Sequence, residues 1–520
     1  MKMLSVYPII TILLAVAFLF TGCGSTIKAS FGEKRTDFNN NIPFIDVPLT
    51  GGNIPDDFSL IAEAENGQLT GTATVKNDGS YSGGSYVTGL NSKDSTLTFK
   101  VTIDYDGMYD LHFTYWSVDE FKINDVHVDG VQVGELKCNV GQKIDVTKLL
   151  NVYLSEGEHK ISIVPSWGWV SYDCLEIKKS NIISQDTYNV TCGLSNPNAD
   201  KNTKRLYKFL CDIYGKYSLT GQFADKGRES NELNAIKNQT GESFAVLGLD
   251  MMSYSTINRA HGSEPMSVEY AYDWYNNAGG IVQMCWHWNV PSDEYIADGS
   301  HYWNTFYAEN TTLDLDKIMN GEDEHGYELL MADIDNIACE LSRLRDEGVP
   351  IIWRPLHEAA GGWFWWGDCA PESFIKLWQT MYNKMTHEHN LTNLIWMWNG
   401  QNADWYPGDE YVDIVSWDIY AGEHQYGSQS GTFAEAVSCY GETKLVALSE
   451  NGTVMDPDLM FRDNARWLFW GTWSGDFVLD VVKENLSEKY TQNYMLNKAY
   501  DSEYTLTLDE LPDLKKYPLN

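Results

Sequence analysis

Two rhythms of apolar and polar residues divide the chain. Between Ser59 and about Lys178 short runs alternate residue by residue, as in TLTFKVTI, YDLHFTYW, DVHVDG and HKISIV, with DG, EG and GG pairs between them. Period-two alternation gives a strand one buried face, and closely spaced turn pairs stack such strands into an all-β sandwich. After about Asn181 the apolar runs become continuous. YSLTGQF, FAVLGLDMM, GGIVQMCWHW, VPIIWRPLHE, NLIWMWNG, VDIVSWDIY, KLVALSENG and WLFWGTWS follow one another between Tyr217 and Ser474. Amphipathic stretches such as DKIMNGEDEHGYELLMADIDNIACELSRLRDEG separate most of them. Eight strands covered on both faces, alternating with helices, predict a (β/α)8 barrel. A doubly wound sheet competes, but no GxGxxG or GxxxxGK[ST] follows any strand.

The chain of 520 residues is too long for one ordinary core. The pattern divides it into a leader over 1–22, a tether over 23–50, the sandwich over 51–180 and the barrel over 185–515. The tether is polar and carries Gly, Pro and Asn without period. The leader opens on MKM, continues as LSVYPIITILLAVAFLF and closes on the small-residue stretch TGC, ending at Cys23. It resembles a bacterial lipoprotein signal, with Phe20 where Leu is usual. The apolar run is about 17 residues, at the lower limit for a spanning helix, so a retained anchor helix is the alternative. Lipidation of Cys23 would tether the mature protein to a bacterial membrane, on its outer, extracytoplasmic side. Export would permit disulfides among the other eight cysteines, with pairing left open. No CxxC or Cys/His cluster suggests structural zinc.

Lys and Arg number 37 against 73 Asp and Glu, a formal net charge of −36. That balance excludes a phosphate-binding surface, so no nucleic-acid partner is expected. Aromatic residues make up 13% of the chain, including 19 Trp and 31 Tyr. Flat rings in excess suit a flat, neutral ligand such as a sugar.

Several apolar runs end in a polar or aromatic residue: Asp250, His287, Glu358, Asp418 with Tyr420, and Glu450. In a barrel the carboxyl ends of the strands carry the chemistry. Glu358 and Glu450 end the fourth and seventh strands, which face each other across the mouth. Two carboxylates about 5–5.5 Å apart are what retaining glycoside hydrolysis requires. A single glutamate at a strand end is more often solvated or ion-paired; the meaning comes from the pair. Asp250 reads equally as an ion-pair partner. The His-Glu pair also invites a zinc-protease reading, which fails because Gly361 stands where H-E-x-x-H needs histidine.

At WRPLHEA and ALSENG the sequence resembles glycoside hydrolase family 26, best known for β-mannanases, over roughly the last 330 residues. The resemblance implies a retaining barrel hydrolase acting on β-1,4-mannan, with no cofactor for catalysis. It casts Glu358 as general acid/base and Glu450 as nucleophile. It implies substrate-side roles for His287 and His357, and an aromatic platform at Trp363. By the same resemblance Tyr420 would orient the nucleophile with Asp418 beside it, and Trp473 would lie under the reacting ring, with Trp470 competing for that alignment. Trp365 and Trp366 read as core.

The stretches AEAENG, GSYSGGSYVTGL, DGMYDLHFTY, LSEGEHKISIV and SYDCLEI resemble carbohydrate-binding module family 35. That resemblance implies a structural Ca²⁺ on Glu63, Glu65 and Asp173, and ligand-contacting aromatics at Trp167 and Trp169. The expected whole is a lipid-anchored, monomeric endo-β-1,4-mannanase acting on plant β-mannan. A mixed-linkage β-glucanase or β-1,3-xylanase on the same barrel is the first alternative, and a non-catalytic surface glycan-binding lipoprotein the second.

Overall fold

The computed structural model describes residues 54–519, apart from 119, 120, 142, 143, 181, 182, 184, 441–443 and 481–484. The leader, the tether and Cys23 lie outside the described residues. No described helix is long and apolar enough to cross a membrane.

The alternating half folds into two antiparallel sheets. One runs Thr74–Asn77, Ser85–Thr88, Ser171–Lys179, Gly107–Trp116, Asp145–Leu154, with Ser59–Glu63 also paired to Ser171–Lys179. The other runs Gln68–Leu69, Leu97–Ile103, Gly157–Trp167, Lys122–Val128, Val131–Cys138. Leu97, Phe99, Val101 and Ile103 bury every second side chain of their strand in the same core as Leu111, Phe113, Leu175 and Ile177. Alternation thus becomes one dry face per sheet.

The continuous runs close into an eight-stranded parallel barrel. Its strands are β1 (Gly221–Phe223), β2 (Val246–Asp250), β3 (Ile281–Cys285), β4 (Ile351–Arg354), β5 (Leu394–Trp398), β6 (Ile414–Ile419), β7 (Leu445–Asn451) and β8 (Trp470–Thr472). Closure comes where Gln222 of β1 pairs with Thr472 of β8. Gly221 permits it: a Cβ there would lie 2.1 Å from the Trp470 carbonyl oxygen. The run YSLTGQF is therefore split, since Ser218–Leu219 pairs outside the barrel with Thr505–Leu506.

Helices wrap the barrel as their periodicity demands. In Glu324–Asp346, Asp323 caps the first turn by accepting from the Gly326 N–H, and Leu330, Ile334, Ile337, Leu341 and Leu344 form the buried stripe. The helix Ser430–Tyr440 between β6 and β7 also packs against sandwich strands Val131–Cys138 and Asp145–Leu154. All eight described cysteines are free, so none of them forms the disulfides that export would permit.

Candidate active site

The end of β4 is bent out of helical or extended geometry. Leu356 and Glu358 hold φ of 50° and 54°, the left-handed region that non-glycine residues avoid. Asn399, one residue beyond β5, holds this turn. The Glu358 N–H donates to its backbone oxygen at 2.7 Å and to its side-chain oxygen at 2.9 Å. Gly362, at φ 69°, then reverses the chain, and a Cβ on Gly361 would fall 2.1 Å from the Trp363 ring. The indole folds back over that glycine and donates its N–H to Glu358 Oε2 at 2.9 Å. Trp363 is 47% exposed, whereas Phe364, Trp365 and Trp366 are buried.

Across the mouth, Glu450 is buried in β7. Tyr420 donates its hydroxyl to Glu450 Oε2 at 2.6 Å, and Arg354 donates a guanidinium N–H to Oε1. Arg354 donates through its other terminal nitrogen to Asp418 Oδ2 at 2.7 Å. Asp418 Oδ1 accepts from Ser449 at 2.6 Å and from Asn399 Nδ2 at 3.1 Å. Oxygens of Glu358, Asp418 and Glu450 lie within 4.8 Å of one another. The Asp418 side chain has no exposed surface, so it braces Arg354, Ser449 and Asn399 rather than lining the cleft.

A second chain of bonds approaches from β2 and β3. Asp250 accepts from His287 Nδ1 at 2.6 Å and from the His287 backbone N–H at 3.1 Å. With Nδ1–H given to Asp250, His287 Nε2 accepts from His357 Nε2 at 3.1 Å. His357, expected beside the sugar, is fully buried and packs against His287, Phe364 and Trp366. Trp473 follows β8, half-buried, with ring centroids 4.5 Å from Phe223 and 5.7 Å from His287. Trp470 is inside the barrel, 1% exposed, which separates the two candidates left open by the sequence.

The electrostatics divide the carboxyl groups. Burial, followed by the charges of Asp418 and Glu450, holds Glu358 well above the usual carboxylate range. Burial also pushes Asp418 up to about 7, against the pull of Arg354. Burial opposes the charge on Arg354, but Asp418 and Glu450 outweigh it and raise its affinity for the proton. His357 is held well below the imidazole range by burial, then by Arg354 and His287. The mouth thus holds one carboxyl group prone to keep its proton beside another met by two strong donors. Acid and nucleophile chemistry on paired carboxyl groups calls for such a division.

Two described clusters could bring three ligand atoms together, Asp250–Cys285–His287 and Glu358–Asp418–Glu450. In the first His287 and Asp250 already pair, and in the second the Arg354 guanidinium takes a cation's place.

A family model described as glycosyl hydrolase family 26 matches residues 195–509. The chain belongs to glycosyl hydrolase family 26. A carbohydrate binding module (family 35) model matches residues 60–180 of the same hydrolase. The mannan endo-1,4-beta-mannosidase of Thermothelomyces thermophilus is 35% identical over 449 residues, 86% of this chain and 90% of that protein. Mannan endo-1,4-beta-mannosidase B of a Piromyces species is 34% identical, over 86% of this chain and 77% of its own. Among solved structures, the Podospora anserina GH26-CBM35 beta-(1,4)-mannanase matches with a TM-score of 0.61 at 34% identity, covering 88% of this chain and all of that one.

Arg354 and Asn399 carry as much of the hydrolase's mouth as the expected residues do. Arg354 lay inside the quoted run IIWRPLHE without a role, and Asn399 ends IWMWN as the other site residues end their strands.

In the sandwich, Glu63, Glu65 and Asp173 lie around Ser82 and Gly83, but their oxygens do not all come within 4.8 Å of one another. Each has a buried carboxylate oxygen without a hydrogen-bond partner, while Ser82 donates to Glu63 at 2.8 Å and to Asp173 at 3.2 Å. Asp173 is raised by burial and by Glu63 and Glu65, although the Ser82 N–H opposes this. Unshared oxygens on three carboxylates fit a hard cation such as Ca²⁺. Trp167 and Trp169 are 42% and 45% exposed; Trp167 is anchored by its N–H to the Phe121 carbonyl, and Lys122 lies 5.8 Å from the Trp169 ring.

Proposed function

We propose that this chain is a retaining endo-β-1,4-mannanase with Glu358 as general acid/base and Glu450 as nucleophile. The observation that carries the proposal is the approach of their carboxylate oxygens within 4.8 Å, with Glu358 held above the carboxylate range and Glu450 met by the Tyr420 and Arg354 donors. Retention needs carboxyl groups about 5–5.5 Å apart, whereas inversion needs about 6.5–9.5 Å to admit water between them.

In the first step a Glu450 oxygen bonds to the anomeric carbon as Glu358 gives its proton to the departing glycosidic oxygen. In the second, Glu358 takes a proton from water, whose oxygen attacks the anomeric carbon and releases Glu450. Arg354 and Tyr420 position the attacking carboxylate. The Trp473 and Trp363 faces cover the apolar faces of the sugars on either side of the cut, and His287 borders the reacting ring. Mannan as substrate is supported by the names of the relatives.

The sandwich keeps the barrel near polysaccharide through Trp167 and Trp169, raising local substrate concentration. Glu63, Glu65 and Asp173 would hold a structural Ca²⁺. The leader sequence supports a lipid tether at Cys23 on the outer side of a bacterial membrane. Glu450→Ala should leave less than about a thousandth of the activity on galactomannan; near-normal hydrolysis would sink the assignment. A panel of galactomannan, lichenan and β-1,3-xylan tests the substrate, with release from galactomannan expected to dominate.

A further inference from the structure

The segment joining Tyr420 to the helix Ser430–Tyr440 is pressed against the sandwich. Residues 421–429 form it, and within it His424 and Gln429 hold φ of 61° and 55°. Strain of that kind persists only where the surroundings fix it. From the barrel side, Thr453 donates to the Gly422 carbonyl and the His424 N–H donates to the Tyr490 carbonyl. From the other side the contacts come from the sandwich. The Gln132 backbone N–H donates to Gln425 Oε1 at 3.0 Å, in a chain crossing of nearly three hundred positions.

The two backbones nearly touch. A Cβ on Gly427 would lie 2.0 Å from the Gln132 carbonyl oxygen, and one on Gly431 would lie 2.1 Å from Leu149. Asn151 of the sandwich donates to the Asp463 carbonyl at 3.1 Å, and the Ser428 hydroxyl bonds the side chain of that same Asp463. At the rim, the half-exposed Lys137 meets Glu435 at 3.2 Å. The backbone-to-backbone approach at Gly427 leaves the segment little freedom to shift, and Leu149 packs its side chain against Gly431.

We propose that the sandwich is a structural part of the catalytic site. Its Val131–Cys138 edge fixes the segment 421–429, and through it keeps the Tyr420 hydroxyl on Glu450. Gln425 is the positioning residue. The proposal rests on the reading of Glu450 as nucleophile, and it gives the sandwich a task separate from holding polysaccharide.

The test uses the full chain and a short soluble manno-oligosaccharide, for which targeting to polysaccharide is irrelevant. Gln425→Ala should lower kcat by about 3- to 10-fold with KM within about twofold, the loss expected from one misplaced hydrogen bond. Gln425→Glu keeps the acceptor and should recover most of that loss. Gln425→Ala combined with Tyr420→Phe should be no slower than Tyr420→Phe alone, because both act on one contact. Lys137→Ala, at the rim, should stay within about twofold of the parent. If Gln425→Ala folds poorly, as its melting curve would reveal, Gln425→Asn shortens the reach and should give the same loss. Full soluble activity in Gln425→Ala and Gln425→Asn, or losses that multiply with Tyr420→Phe, would overturn the proposal. A Tyr420→Phe enzyme as fast as the parent would instead count against the reading of Glu450.

Discussion

Replacing Arg354 with methionine removes the cation between Asp418 and Glu450 while keeping a long apolar side chain. The guanidinium is fully buried and the two carboxylates it meets expose 0% and 5% of their side chains. Water therefore cannot take its place. Breaking a buried pair by removing one partner costs about 3–5 kcal/mol, because a buried charge is left uncompensated. For a domain of this size that corresponds to a fall in melting temperature on the order of 5–10 °C. The same change withdraws a donor from Glu450, so kcat should fall by about 100-fold or more.

The pH dependence identifies the cause. Asp418 sits at about 7 in the fold, above its ordinary value of 3.8. Its contribution to stability is thus full below the unfolded value and is lost as the pH rises through about 7. Without Arg354 the folded value moves higher still, and the loss continues to higher pH. The deficit of Arg354→Met relative to the parent should widen above about pH 7 and narrow below it. Arg354→Lys keeps one charge but not the fork that reaches both carboxylates, and should fall between the two. Thermal scans across pH, with initial rates on a soluble manno-oligosaccharide, measure both effects. A variant that melts within about 1 °C of the parent and keeps a tenth of its kcat would refute the reasoning.

Tyr420→Phe removes a hydrogen bond to a carboxylate and should lower kcat by about 10- to 100-fold with KM little changed, as initial rates would measure. Because burial and neighbouring charge keep Glu358 well above the carboxylate range, the kcat/KM profile of the parent should stay high through neutral pH and fall on its alkaline side. Glu358→Ala should abolish that alkaline fall on a substrate whose leaving group needs no protonation. Chelation of Ca²⁺ should lower the melting temperature of the full chain, and Glu65→Gln should make the protein insensitive to chelator; a parent that chelation leaves unmoved contradicts the calcium site.

The barrel mouth was legible because strands buried on both faces make any polar residue at their ends conspicuous. Glu358, Glu450, Asp250, His287 and Asp418 all stand out against runs such as AVLGL and KLVALS. What those residues touch was not legible. Arg354 is in the strand itself, and a lone arginine in an apolar run reads as its edge until two carboxylates are seen to enclose it. Asn399 resembles an ordinary strand-ending asparagine, although it holds the strained turn at Glu358. Of four consecutive aromatics after Gly362, only Trp363 faces outward, an outcome decided by the close approach of its ring to Gly361 rather than by any periodicity. The contact between sandwich and barrel was hidden because Gln132, Gly427 and Gly431 carry no pattern that one sequence can display. His357 gave the opposite lesson: the family resemblance set it on the substrate side, but between the left-handed Leu356 and Glu358 it is buried against His287.

The central claim is that Glu358 and Glu450 act as a retaining pair, and the stereochemistry of the first product reports it directly. Proton NMR of a manno-oligosaccharide digest, read before the anomers equilibrate, should show the newly formed reducing end as the β-anomer. An initial α-anomer would mean inversion with water between the carboxylates, and would contradict the account.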